Sequence, residues 1–319
     1  MTLEELICRR RHRPQRSVPD WMLGCFRRRC ISFANGESDD QTIVYWLQSC
    51  NFTIDLRLPL GARQVRAAAM EEYSEAELVE LANYEGWFAG CQWNGKAMMW
   101  QEAISLQVTN RWPEPAELTR TGNCMVEFAP SGAYVEDWRM QPSDTGPLVG
   151  LRLVGETIAG REDMMARRGG LIICGDYAAM VLGRSSPPGD VAQTDDVAQT
   201  LQQQIAAAGG NLATLKELLD FETSVAQGSL AQGYTVIHST LPERVGSPLL
   251  EVSEFEWLES SQRVAQRFLR DGQECVRHYE VDVIEPCQTF PLTTPVSDES
   301  AAWFAREAAT LQRYTGVLQ

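Results

Sequence analysis

LVELANYEG, starting at Leu78, is echoed by LKELLDFET, starting at Leu215, so that Tyr84 falls on Phe221 and Glu85 on Glu222. The offset then holds with small slips: Gly95 meets Gly233, MMW ending at Trp100 meets VIH ending at His238, and Phe128 with Gly132 meets Phe268 with Gly272. A period of about 140 residues is the size of a whole domain rather than of a solenoid unit. The 319 residues, 44% of them hydrophobic, therefore read as two domains of one kind, each large enough to bury a core.

Outward from the repeat, short β-branched and aromatic runs dominate. WMLGCFRRRCISF (Trp21 to Phe33), TIVYWLQ (Thr42 to Gln48) and FTIDLRL (Phe52 to Leu58) are separated by turn-forming ANGESDD and SCN, the pattern of an antiparallel meander. A helical stretch over 63–83 follows, with Ser74 and Glu77 placed as a capping box. Strands are expected again at 87–93, 97–108, 124–129, 133–140 and 147–155. The second copy repeats the order: GGLIICG and YAAMVLGR, a helical stretch over 197–221, then strands at 224–230, 234–241, 249–258, 263–270 and 274–284. A turn-rich loop spans 183–200.

The expected fold is mainly β: two tandem antiparallel up-and-down β-barrels, each with an inserted helix, plus a C-terminal helix. The expected division is a basic flexible tail at 1–18, barrels at 19–158 and 159–295, and the final helix at 296–319, carrying Trp303 and Phe304.

Trp21 and Gly24 in W-x-x-G, Arg27 to Arg29 after them, the YWLQ strand and DLRLP at Asp55 to Pro59 resemble the calycin superfamily of lipocalin-like barrels. Within it, the chain resembles a group of fused two-barrel proteins of poorly defined function found in fungi and bacteria. Lipocalins proper open with G-x-W, whereas here Trp precedes Gly. The resemblance therefore implies intracellular relatives rather than secreted carriers, and a structural role for Trp21, closing a barrel end against an arginine.

The net charge of −15 is uneven, because Arg9, Arg10, Arg11, Arg13 and Arg16 give residues 1–16 a local +3. So acidic a body repels phosphate backbones and anionic lipid, which argues against nucleic acid as a partner. Nine cysteines without a C-x-x-C suit reduced thiols in the cytoplasm. No run reaches 18 apolar residues, so no membrane span is expected. Phosphate loops, nucleophile elbows and H-E-x-x-H are absent, and three scattered histidines give no zinc spacing. No cofactor or metal is expected.

Strand alternation nominates the site. Glu102 shares a face with Met98, Trp100, Ile104, Leu106 and Val108, where an unpaired charge is costly. On 133–140, Tyr134, Glu136, Trp138 and Met140 share a face, and Arg28, beside Phe26 and Cys30, is the expected countercharge. His238 shares a face with Tyr234, Val236 and Thr240, and suits a general base or a core hydrogen bond. Asp55 and Arg57 lie opposite Phe52, Ile54, Leu56 and Leu58, and read as a surface ion pair; the matched Glu85 and Glu222 read as ties between helix and barrel.

The expected function is binding of a small hydrophobic or amphipathic molecule in the first barrel, lined by Arg28, Trp100, Glu102, Tyr134, Glu136 and Trp138. The alternatives are a cofactor-independent lyase, isomerase, hydratase or cyclase using Glu102 or His238 as acid/base, and a filled-barrel scaffold binding protein through the 183–200 loop or the Trp303 helix.

Overall fold

The computed structural model describes residues 1–158, 161, 164–185, 199–270, 272–293, 302, 303 and 305–310. The chain opens with α1 (Leu3–Arg9), capped reciprocally by Thr2 and Glu5. Nine strands follow: β1 (Gly24–Phe33), β2 (Ser38–Asp39), β3 (Ile43–Gln48), β4 (Phe52–Leu58), β5 (Glu85–Trp93), β6 (Ala97–Ser105), β7 (Ala116–Thr121), β8 (Cys124–Phe128) and β9 (Tyr134–Met140). All but β2 form a closed eight-stranded antiparallel barrel, because β9 returns to pair with β1 from Phe26↔Met140 to Phe33↔Tyr134. α2 (Glu75–Leu81) lies between β4 and β5, and its cap is the expected Ser74–Glu77 box. The rest of 63–83 is mostly non-helical, with a short 3-10 turn at Met70–Glu72.

The second half contributes β10 (Gly146–Ile158), β11 (Met164–Met165), β12 (Gly169–Cys174), β13 (Tyr177–Leu182), α3 (Leu201–Ala207), α4 (Leu212–Leu219), β14 (Glu222–Ser229), β15 (Gly233–Ser239), β16 (Phe255–Leu258), β17 (Arg263–Arg270) and β18 (Gln273–Gln288). Its connectivity matches the first half strand for strand. The long first strand pairs with the third and the last, a two-residue strand hangs on the first, and helix is inserted between the fourth and fifth. The matched glycines sit at its tight turns. Gly95 and Gly233 (φ +98° and +80°) join β5 to β6 and β14 to β15, while Gly132 and Gly272 (both φ +77°) join β8 to β9 and β17 to β18. Side chains with a Cβ rarely adopt this backbone, so the turns fix which residues recur.

One expectation is corrected by the sheets themselves. The second sheet is not closed: among the described residues no ladder joins β15 to β16. That gap occupies the place where the first barrel is thinnest, since β6 and β7 meet only through Ala97↔Glu117 and Met98↔Ala116. The division at 158 also differs from the structure. β10 pairs with β12 and β18 and belongs wholly to the second sheet, so the halves meet between Met140 and Gly146.

The outer face of the second sheet packs on the outside of the barrel. Phe52, Ile54, Leu56 and Phe88 share one buried cluster with Ile172, Ala179, Val181 and Val225. Gly86 passes so close to Thr223 that a Cβ there would lie 2.3 Å from its Oγ1. The opposite face of the second sheet carries Val149, Leu151, Leu153, Leu171, Ile173 and Met180, and into this cluster α1 inserts Leu3, Leu6 and Ile7. Residues 1–9 are thus a docked helix rather than a flexible tail, because Leu3, Leu6 and Ile7 form an apolar stripe at helical spacing. Arg11 and Arg13 both bind the buried Glu285, and His12 bridges to Ile284. No described helix is long and apolar enough to cross a membrane. The 183–200 loop lies largely outside the described residues, as does much of the C-terminal helix, whose Trp303 meets Phe128 edge-on at 6.0 Å.

Candidate functional site in the first barrel

β4 is the strand whose two faces the sequence reverses. Its apolar face (Phe52, Ile54, Leu56) is covered by the second sheet, so Thr53, Asp55 and Arg57 point into the barrel lumen. Asp55 and Arg57 are therefore a buried pair, 1% and 8% exposed, not a surface one. Arg57 Nε donates to Asp55 Oδ1 at 2.9 Å, and its Nη1 lies 3.7 Å from Glu136 Oε1 across the lumen. Arg28 reaches the same Glu136 oxygen at 2.8 Å and Asp39 Oδ2 at 2.8 Å. The expected countercharge is thus in place, and Glu136 bridges two arginines.

Beside Glu136, on the same rung of β8 and β9, stands Glu127. Its carboxyl accepts the Trp138 indole N–H at 3.0 Å and the Tyr134 hydroxyl at 3.3 Å. Burial, and then the neighbouring Glu136 charge, push Glu127 well above the usual carboxylate range. Burial also raises Asp55 to about 6, against the opposing pull of Arg57. Tyr134 is raised by burial and by Glu127.

Above this polar floor the wall is aromatic. The Arg57 guanidinium lies 4.4 Å from the centroid of the Trp112 ring, whose indole N–H donates to Glu85 Oε2 at 3.0 Å. Arg111 holds the other Glu85 oxygen at 2.8 Å. Trp87 meets Trp100 edge-on at 5.6 Å, and Trp100 meets Trp46 at 5.9 Å. Between these rings, where β6 and β7 part beyond Met98, a cavity of about 590 Å³ opens to the surface. Arg57, Glu85, Glu127 and Tyr134 line its depth, and Trp87, Trp100 and Trp112 its sides. The volume is that of a small-molecule site. The other end of the barrel is shut by Arg120, which donates to the carbonyls of Trp21 and Pro291 and stacks over Phe26 at 5.6 Å.

Two sequence candidates lie elsewhere. Glu102 is not on the inner face: it sits in a bulge of β6 with φ +51°, its side chain is 79% exposed, and its nearest counter-ion is Arg168 at 3.9 Å. The bulge inverts the alternation, so that Trp100 and then Ala103 and Ser105 line the cavity while Ile104 turns toward the second half. His238 lies between the two sheets, its ring 5.4 Å from Tyr45, with its pKa lowered by burial and by Arg27. Arg28, Trp100, Tyr134, Glu136 and Trp138 do converge on the barrel interior. Sequence reasoning missed Glu127, the one carboxylate in CMVEF (Cys124–Phe128), and the inward Asp55, Arg57, Glu85 and Trp112. Glu85 and Glu222 also prove parallel: each starts the strand after the inserted helix and each is held by an arginine, Arg111 or Arg244.

The second half arranges its buried charges differently. Its most buried carboxylate, Glu156, is held by Arg270 at 2.6 Å and Arg277 at 3.0 Å. No family model, curated protein or solved structure matches this chain.

Proposed function

We propose that the first barrel binds a small amphipathic molecule, its apolar part between Trp87, Trp100 and Trp112 and its polar end toward Arg57, Glu127 and Tyr134. The observation that carries this reading is the cavity of about 590 Å³, walled by indoles over a floor of buried charges. A filled scaffold has no need of that opening, and buried charge networks are weak contributors to stability compared with apolar packing. The reading fits a calycin-type barrel used for carriage, with the second half as a related barrel-like copy that braces the first. The nine free cysteines suit a reducing compartment such as the cytoplasm.

A second reading, a cofactor-independent lyase, isomerase, hydratase or cyclase, draws support from one observation. Burial and the neighbouring Glu136 push Glu127 well above the usual carboxylate range, with the Arg57 charge nearby, as suits a general acid. The acid/base role then passes from Glu102 and His238 to Glu127 and Asp55.

Quenching of tryptophan fluorescence by a graded set of amphiphiles tests the binding reading. Saturable quenching that is lost in Trp100→Ala is expected; a broad set that quenches nothing in the folded wild type rejects it.

A further inference from the structure

Resting on that binding reading, we infer that the ligand presents to the cavity floor an uncharged oxygen function, a hydroxyl or carbonyl, rather than a carboxylate, phosphate or amine. The basis is which wall atoms already have partners. Glu85 spends both oxygens on Arg111 and Trp112, Glu127 accepts from Trp138 and Tyr134, and Asp55 is held by Arg57. Among the cavity-lining residues, the buried polar atoms left without a hydrogen-bond partner are Arg57 Nη1, Trp100 Nε1 and Gln107 Oε1. Two are donors and one is an acceptor, the complement of a neutral group that accepts strongly and donates once. Arg57 is itself more than nine-tenths buried, so this donor meets little solvent.

Charge balance points the same way. Arg28, Arg57 and Arg111 are each already ion-paired, to Asp39, Asp55, Glu85 and Glu136. No positive charge is left over for an anion, which would meet the cavity-lining Glu85 and Glu127 as well as Arg57. A cation would face the cavity-lining Arg57 guanidinium, a like charge that stays ionised. A hydroxyl or carbonyl oxygen satisfies Arg57 and Trp100 without importing a charge that must be desolvated.

Three ten-carbon probes with the same chain decide the matter: 1-decanol, decanoate and decylammonium, titrated at neutral pH into the full chain with tryptophan emission and calorimetry as readouts. The alcohol is expected to bind roughly tenfold or more tightly than either ion, the ratio for one desolvated, uncompensated charge. Equal or tighter binding of decanoate or decylammonium overturns the inference and leaves the binding reading standing. Binding of none of the three overturns both. Trp100→Phe keeps an aromatic ring and removes the N–H together with the five-membered ring of the indole; with native circular dichroism it is expected to weaken the alcohol several-fold more than it weakens the ions. An unchanged alcohol affinity in that variant removes the indole from the site and contradicts the assignment.

Discussion

The two halves share one strand order and fill their interiors in opposite ways. The first closes its barrel around Arg28, Asp55, Arg57, Glu127 and Glu136 and keeps a cavity beside them. The second leaves its sheet open between β15 and β16, buries Glu156 against Arg270 and Arg277, and packs one face with apolar side chains, including Leu3, Leu6 and Ile7 supplied by α1. Topology here is carried by turns and by the alternation of each strand, which constrain only whether a side chain faces in or out. What stands at the inward positions is free to differ, so a closed barrel with a cavity and an open sheet packed by a helix can be built on the same course of chain.

The largest effect should come from removing the carboxylate that two arginines share. Glu136→Leu takes one of two carboxylate partners from each of Arg28 and Arg57, leaving them to Asp39 and Asp55, and should lower the unfolding free energy by about 3 kcal/mol in urea titrations, the lower end of the cost of breaking a buried pair. The double change Asp55→Leu with Arg57→Met removes a whole pair instead, and should be near neutral for stability while abolishing alcohol binding. If the double change is as costly as the single one, the charges serve folding rather than the cavity.

The bracing half should respond to loss of apolar contact. Leu6→Ala empties a fully buried site in the α1 plug and should cost about 3 kcal/mol without changing ligand affinity. A cost below about 0.5 kcal/mol, the range of exposed sites, would show that α1 does not complete the second half in solution.

A pH signature should belong to the first half. Asp55 loses its proton near 3.8 in the unfolded chain and near 6 in the barrel, because burial disfavours its charge. Between those values the native state binds more protons, so this group's contribution is complete below the unfolded value and is lost as pH rises through the folded one. The loss is about 3 kcal/mol, visible as a fall in stability from about pH 4 to 7 that is absent in Asp55→Asn. A wild-type curve parallel to that of the variant would place Asp55 in water.

The smallest change probes the seam between the halves. Gly86→Ala drives a methyl group into Thr223 and should cost about 1–2 kcal/mol, with the companion Thr223→Ala, which removes the clashing Oγ1, recovering part of it. Additive costs in the double variant would mean that the two sheets do not press together there.

Much of this was legible in the residues, and the exceptions have physical causes. The turn glycines and the strand alternation disclosed the antiparallel strand order common to both halves, the barrel of the first and five of the inward side chains. β7 (AELTRT) escaped because it has neither aromatic residues nor a continuous apolar face. The meaning of β4 was inverted because alternation tells two faces apart but not which is the lumen, and here the apolar face serves the second sheet. Glu102 was misplaced by a bulge, where one extra residue switches the parity of everything after it. α1 was hidden by its arginines, although Thr2 and Glu5 form a capping box and Leu3, Leu6 and Ile7 a stripe.

The most direct test is the crystal structure of the protein soaked with a ten-carbon alcohol brominated at its far end. The bromine's anomalous peak is expected among Trp87, Trp100 and Trp112, with the hydroxyl at Arg57 Nη1. A peak instead in the apolar groove between Ala67–Met70 and Leu241–Glu243, or none in a fully occupied soak, would contradict the claim that function resides in the first barrel.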